Sequence, residues 1–163
     1  MQHYRADNYQ ARTSIGYLVR RATALMIEKC EPLLAEHGFT FTQWVALMHL
    51  RDGLATNPRD ICSLLRHDSG AVTRVIDQLE ERGLVQRQRS LEDRREVDLH
   101  LTPVGASTVE SLVPPMVDRM NSALRDFSSE EVAELTRLLV KLVATLSNAA
   151  GPAGPPAPAG ERA

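Results

Sequence analysis

The sequence predicts a mainly α fold with a small β-hairpin wing (α+β): a winged helix-turn-helix with N- and C-terminal dimerisation helices. Three observations carry that prediction. Apolar residues recur at helical spacing in six separate segments. After Gly83 the period drops from 3.6 to 2, in two short runs that bracket an arginine-rich polar loop. The order helix, turn, helix, strand, basic loop, strand falls at about 55–102, with longer helical stretches on both sides.

The first periodic segment runs from about Ser14 to His37, with Ile15, Leu18, Val19, Ala22, Leu25, Met26, Leu33 and Leu34 at helical spacing. Thr13 or Ser14 serves as N-cap, and Gly38 suits the left-handed residue just past the end. Pro32 removes an i−4 bond, which predicts a kink near Glu28–Cys30. A second helix follows Thr42 as N-cap, carries Trp44, Val45, Leu47, Met48 and Leu50, and ends at Asp52-Gly53. Asn57-Pro58, an N-cap followed by proline at N1, opens a short third helix with an apolar face of Ile61, Leu64 and Leu65. Arg66–Gly70 makes the turn. Asp68 or Ser69 then caps a fourth helix, striped by Val72, Val75, Ile76 and Leu79 and closed at Arg82-Gly83.

Leu84–Arg89 reads as a strand, and Glu96–Leu101 alternates strictly, with Val97, Leu99 and Leu101 on one face. Ser90–Arg95 is the polar loop between them. Thr102-Pro103 opens a helix to about Phe127, in which Pro114-Pro115 predicts a bend or an interruption. The last helix starts at a capping box, Ser128-Ser129-Glu130-Glu131, and continues through Val132, Leu135, Leu138, Leu139, Leu142, Val143 and Leu146. From Ala149 the Gly/Pro/Ala composition predicts a disordered tail. The organisation is therefore an N-terminal extension (1–12), one domain (13–148) with dimerisation helices at about 13–37 and 103–147, and a tail (149–163).

Composition narrows the function. With 43% apolar residues in 163, the chain can bury one genuine core. No apolar run reaches the ~18 residues that span a bilayer, and no secretory segment follows Met1. The expectation is a cytoplasmic protein with no membrane partner. Cys30 and Cys62 form neither a disulfide framework nor a metal-ligand spacing. Nucleophile–base pairs, metal clusters and phosphate-binding glycine loops are also missing, so the sequence predicts no enzyme, cofactor or metal site. The net charge of −2 does not announce a nucleic-acid partner, but five arginines from Arg82 to Arg95 face only Glu92 and Asp93, a local +3.

That basic tongue beside a helix suits double-stranded DNA. Ser69 and Gly70 are small enough for backbone N–H groups to approach a phosphate. Thr73 can meet a thymine methyl, Arg74 a guanine or a phosphate, and Gln78 shares their face. Arg87, Arg89, Arg94 and Arg95 suit phosphates or a narrow minor groove. The competing reading is a winged-helix protein-interaction module without DNA binding.

The stretch Asp68–Arg87 resembles the recognition helix and first wing strand of the MarR family. Asp93-Arg94-Arg95, followed by Leu101-Thr102-Pro103-Val104-Gly105, is similar to that family's wing signature, DxR then LTxxG. The resemblance covers about 13–147. It implies a homodimeric bacterial repressor or activator with a recognition helix in each major groove of a pseudo-palindromic operator. It also implies that Asp93 braces the wing while Arg95 or Arg94 enters the minor groove. The first and last two helices become the dimer interface, in keeping with apolar surface that the small winged domain cannot cover.

By the same resemblance, a small aromatic carboxylate or phenolic effector binds between the dimer helices and the winged domain and releases DNA. The matching walls are Tyr17, Arg20 and Arg21 on the first helix and Trp44, Met48, His49 and Arg51 on the second. Trp44 and Met48 equally suit the core. A cysteine-based redox-sensing regulator is a further alternative. Neither Cys30, late in the first helix, nor Cys62 matches the position near the start of that helix which redox-sensing members use.

Overall fold

The computed structural model describes residues 3–65, 68–89 and 97–148. Within them the elements follow in the predicted order: α1 (Ile15–Glu36), α2 (Phe41–Arg51), α3 (Pro58–Leu65), α4 (Ser69–Glu81), β1 (Val85–Arg89), β2 (Val97–Leu101), α5 (Pro103–Ala123) and α6 (Ser129–Asn148). A single 3-10 turn, Ala11–Thr13, precedes α1. Expectations for the 149–163 tail, the Arg66-His67 turn and the Ser90–Glu96 loop lie outside the described residues.

Local chemistry explains most of the boundaries. Ser14, Asp68 and Thr102 cap α1, α4 and α5, accepting from the backbone N–H of Tyr17, Ala71 and Gly105. The predicted box at α6 is present: the Ser128 hydroxyl accepts from Glu131 N–H at 3.2 Å, and the Glu131 carboxylate accepts from Ser128 N–H at 2.8 Å. Gly38 and Gly83 stop α1 and α4 at φ +74° and +68°, where a Cβ would be strained.

Three boundaries and faces differ from expectation. α2 is capped by Thr40, not Thr42. Thr40 accepts from Gln43 N–H while Gln43 Oε1 accepts from Thr40 N–H, and this reciprocal pair outcompetes a lone hydroxyl two residues later. α5 passes Pro114-Pro115 without interruption and ends at Ala123. The carbonyls those prolines leave unbonded belong to Glu110 and Ser111, both exposed, where water can satisfy them. Pro32 lies inside an α1 that runs unbroken from Ile15 to Glu36. Leu64 is 39% exposed instead of buried, since α3 meets the core through Ile61, Cys62 and Leu65.

The core draws on α1 to α5 and both strands: Leu34, Leu47, Ile61, Val72, Ile76, Leu79, Val85, Leu99, Val109 and Leu112 are almost wholly buried. Each such side chain contributes about 1.5–3 kcal/mol. β1 and β2 pair antiparallel with Val85↔Leu101, Arg87↔Leu99 and Arg89↔Val97, so Arg87 belongs to the core-facing side of the hairpin. Leu99 N–H donates to Thr56 O at 2.8 Å, tying the hairpin to the loop before α3.

Two junctions matter for function. At the entry to α5, Thr102 N–H donates to Leu84 O (3.0 Å) and the Thr102 hydroxyl to Gly83 O (2.6 Å). Gly105, one turn in, presses against the same backbone: a Cβ there would lie 2.0 Å from Leu84 O. The long helices, by contrast, leave apolar faces uncovered. Ile15, Leu18, Leu25 and Met26 on α1 and Leu135, Leu138, Val140, Val143 and Leu146 on α6 are exposed.

Candidate nucleic-acid interface

The geometry of α4 divides its residues cleanly. Val72, Ile76 and Leu79 are buried on one side. Ser69, Gly70, Thr73, Arg74 and Gln78 are exposed on the other. The Thr73 hydroxyl donates to Ser69 O at 2.7 Å, which commits its polar end to the helix and leaves the methyl as the group it can offer. The start of α4 is less open than composition suggests. The Asp68 carboxylate accepts from Ala71 N–H, and that bond foremost, then Gly70 N–H and the Arg74 charge, hold it below the usual aspartate value. A phosphate approaching there meets a carboxylate already in place.

Three polar links fix α4 to its surroundings. Arg87 on β1 reaches back to both Asp77 and Glu80. Burial opposes its charge, yet the two carboxylates outweigh that and hold the guanidinium above the ordinary arginine value. Arg82 donates to Gly38 O at 2.8 Å and lies 3.9 Å over the Phe39 ring. Gln43, buried at the start of α2, donates from Nε2 to Gln78 Oε1 at 2.9 Å. Gln43 and Arg82 are positioning residues that the sequence reading did not assign. The Thr40-x-x-Gln43 spacing was the signal for the first; nothing local announces the second.

The five-arginine cluster is therefore not one patch. Arg82 and Arg87 serve the frame of the domain, while Arg89 stands exposed at the outer end of β1. Asp93, Arg94 and Arg95 lie outside the described residues.

The proposed effector walls are only partly assembled. Tyr17, Arg20 and Arg21 are exposed on α1, whereas Trp44 is buried at 6% exposure in the core. Met48, His49 and Arg51 are half-buried. Arg51 pairs with Asp52 at 2.8 Å and approaches Glu110 of α5 at 4.0 Å, bridging the winged unit to the long helix. His49 Nδ1 is buried with no hydrogen-bond partner among the described residues, and burial lowers the imidazole pKa against the opposing pull of Asp52. A shallow depression along α5, lined by Pro103, Val104, Ser107, Thr108 and Ser111, contains none of these groups. Cys30 is buried, and burial raises its thiol despite Arg119 nearby.

Among known proteins, the MarR family model matches residues 39–97, from Phe39 to the first residue of β2. The HTH-type transcriptional regulator MgrA of Staphylococcus aureus is 32% identical over 108 residues, 66% of this chain and 72% of MgrA. The chain belongs to the MarR family. Solved MarR-family structures share its fold. A mutant of MarR from E. coli, complexed with operator DNA, superposes with a TM-score of 0.68 at 28% identity, over 78% of this chain and 92% of that one. BpsR of Bordetella bronchiseptica, whose DNA binding is regulated by 6-hydroxynicotinic acid, gives 0.72 at 29% identity over 83% and 96%. This MarR-family chain is accordingly a winged-helix transcriptional regulator. No helix among the described residues is long and apolar enough to cross a membrane.

Proposed function

We propose that this MarR-family regulator acts as a homodimeric repressor on a pseudo-palindromic operator, and that a small aromatic acid or phenol releases it. The observation that carries the DNA-binding geometry is the two-sided α4. One face is pinned in the core, and the other offers Ser69, Gly70, Thr73, Arg74 and Gln78 beside a basic hairpin. In this reading α4 enters the major groove, with the Thr73 methyl toward a thymine and Arg74 toward a guanine or a phosphate. Arg89, Arg94 and Arg95 take the flanking backbone or minor groove, and Asp93 braces the wing. Arg87 contributes by holding the hairpin to α4 and not by touching DNA.

The exposed large apolar side chains recurring along α1 and α6 support pairing of two copies, which would cover them. Operator binding by MarR supports the DNA role, and the control of BpsR by 6-hydroxynicotinic acid, an aromatic acid, supports the effector class. Arg20, Arg21, His49 and Arg51 supply cationic or donor groups for the carboxylate, with Tyr17 and Met48 as apolar walls. Trp44 backs that wall from the core.

Fluorescence anisotropy with the duplex upstream of the chain's own gene tests the reading. Affinity falls steeply with salt, is lost in the Arg94→Ala/Arg95→Ala double variant, and weakens on adding aromatic acids. Salt-independent behaviour, or no binding to that duplex, would sink it in favour of a protein-interaction module.

A further inference from the structure

Gln78 faces outward on α4, but its amide is not free to choose which end it shows. The order runs inward from a backbone group that can only donate. Thr40 N–H donates to Gln43 Oε1 at 3.0 Å, so Gln43 must turn its Nε2 the other way. That Nε2 can only donate, and it meets Gln78 at 2.9 Å. Gln78 must therefore accept with Oε1, which leaves Nε2 directed away from the core. The relay is sheltered at its inner end, because Gln43 is 6% exposed. Its anchor is firm, because the Thr40 hydroxyl also takes Gln43 N–H at 3.2 Å.

We propose that Gln43 is a specificity-positioning residue, ordering Gln78 so that the recognition helix offers only N–H donors at that point. The inference rests on the DNA-binding reading of α4. A free glutamine reads adenine with both ends at once, donating to N7 and accepting from N6. A glutamine whose oxygen is turned inward to Gln43 does not set both ends against one adenine. It selects an acceptor: guanine O6 or N7, adenine N7, thymine O4, or a phosphate oxygen. Cytosine, which shows an N4 donor at its major-groove edge, is rejected there.

The test is selection of duplexes from a randomised library by the full chain, with affinities measured on the winners. Gln43→Glu keeps the acceptor for Thr40 N–H and replaces the donating Nε2 with an oxygen. Its second oxygen accepts, so Gln78 turns to donate inward and shows Oε1 outward. Preference at one position per half-site then moves toward cytosine or the adenine N6 edge by roughly 3- to 10-fold, the worth of one hydrogen bond. Other positions stay as in wild type. Gln78→Glu places an acceptor outward directly and moves the same position the same way without touching the core. If the partner is a phosphate, both variants instead weaken every sequence by a similar roughly 3- to 10-fold factor. Either pattern supports the ordering. In the free protein, one Gln43 side-chain amide proton exchanges slowly with solvent and loses that protection in Gln78→Leu. Fast exchange in wild type would overturn the proposal whatever the DNA data. So would a Gln43→Glu variant with wild-type preference and affinity. A wild-type chain that binds no duplex removes the functional reading itself, and this inference falls with it.

Discussion

Replacing Gly105 with alanine adds one methyl group at the most crowded glycine among the described residues. The new Cβ would sit 2.0 Å from Leu84 O, 2.9 Å from its carbonyl carbon and 3.2 Å from its Cα. All three are main-chain atoms, so no side chain can swing aside, and α5 must back off from Leu84 by about 1.4 Å to restore ordinary contact. That shift strains or breaks the bonds from Thr102 N–H to Leu84 O and from the Thr102 hydroxyl to Gly83 O, at about 1 kcal/mol each. Overpacking costs about 2 kcal/mol more, and the better helix propensity of alanine returns about 1 kcal/mol. The expected net loss is about 3 kcal/mol. Trp44, the single tryptophan and 6% exposed, reports unfolding by its fluorescence in urea, with the midpoint read at fixed protein concentration. Gly16→Ala is the control, because a Cβ there meets nothing within 4 Å and the same gain in propensity appears without the clash. A Gly105→Ala midpoint at or above wild type would refute the reasoning.

Arg87→Met should lower stability by only about 1 kcal/mol, since the pair is partly exposed and screened. It should also weaken operator binding without changing its salt slope, whereas a lost phosphate contact would reduce that slope by about 1. His49 sets an acid-side limit. Its folded pKa lies below the ordinary value of about 6.5, so as pH falls through that value the unfolded chain takes up a proton that the folded chain refuses. Stability drops from there down to the folded pKa, and Tm measured from pH 7 to 5 should decline less in His49→Gln; parallel curves would count against the assignment. Leu139→Glu/Val143→Glu on α6 should reduce the light-scattering mass from twice 18.1 kDa to that of one chain, with the fold kept by circular dichroism. A pair that survives both charges would place the interface elsewhere.

Much of this molecule was legible because its punctuation is local. Asp68, Thr102-Pro103 and Ser128 with Glu131 each satisfy helix N–H groups within three residues, so sequence spacing alone locates them. Thr40 and Thr42 look equivalent until the partner is counted: Gln43 stands at the third position from Thr40 and not from Thr42. The continuity of α5 through two prolines depended on which carbonyls face water, a property of the assembled fold. Arg82 and Arg87 illustrate the larger gap. Their partners are 44 residues away for Gly38, and 10 and 7 for Asp77 and Glu80, so a local charge count cannot show that these two arginines also hold parts of the fold together. Leu135 to Leu146 pose the reverse problem. Their stripe predicts burial, yet among the described residues Leu135, Leu138, Leu139 and Leu146 stay exposed.

The Thr102–Leu84–Gly105 junction makes the reading head and α5 one mechanical part. A 21-residue helix rises about 31 Å, so a swing of only about 5° pivoting at one end carries the other through about 3 Å. Small rearrangements where two copies meet would thus arrive at α4 enlarged, as a change in the distance between two heads that must match successive grooves about 34 Å apart. Under the proposed dimeric, effector-released reading, an effector would not have to touch the DNA-facing residues, or loosen any of their bonds, to release DNA. Leverage alone would put the two helices out of step with the duplex.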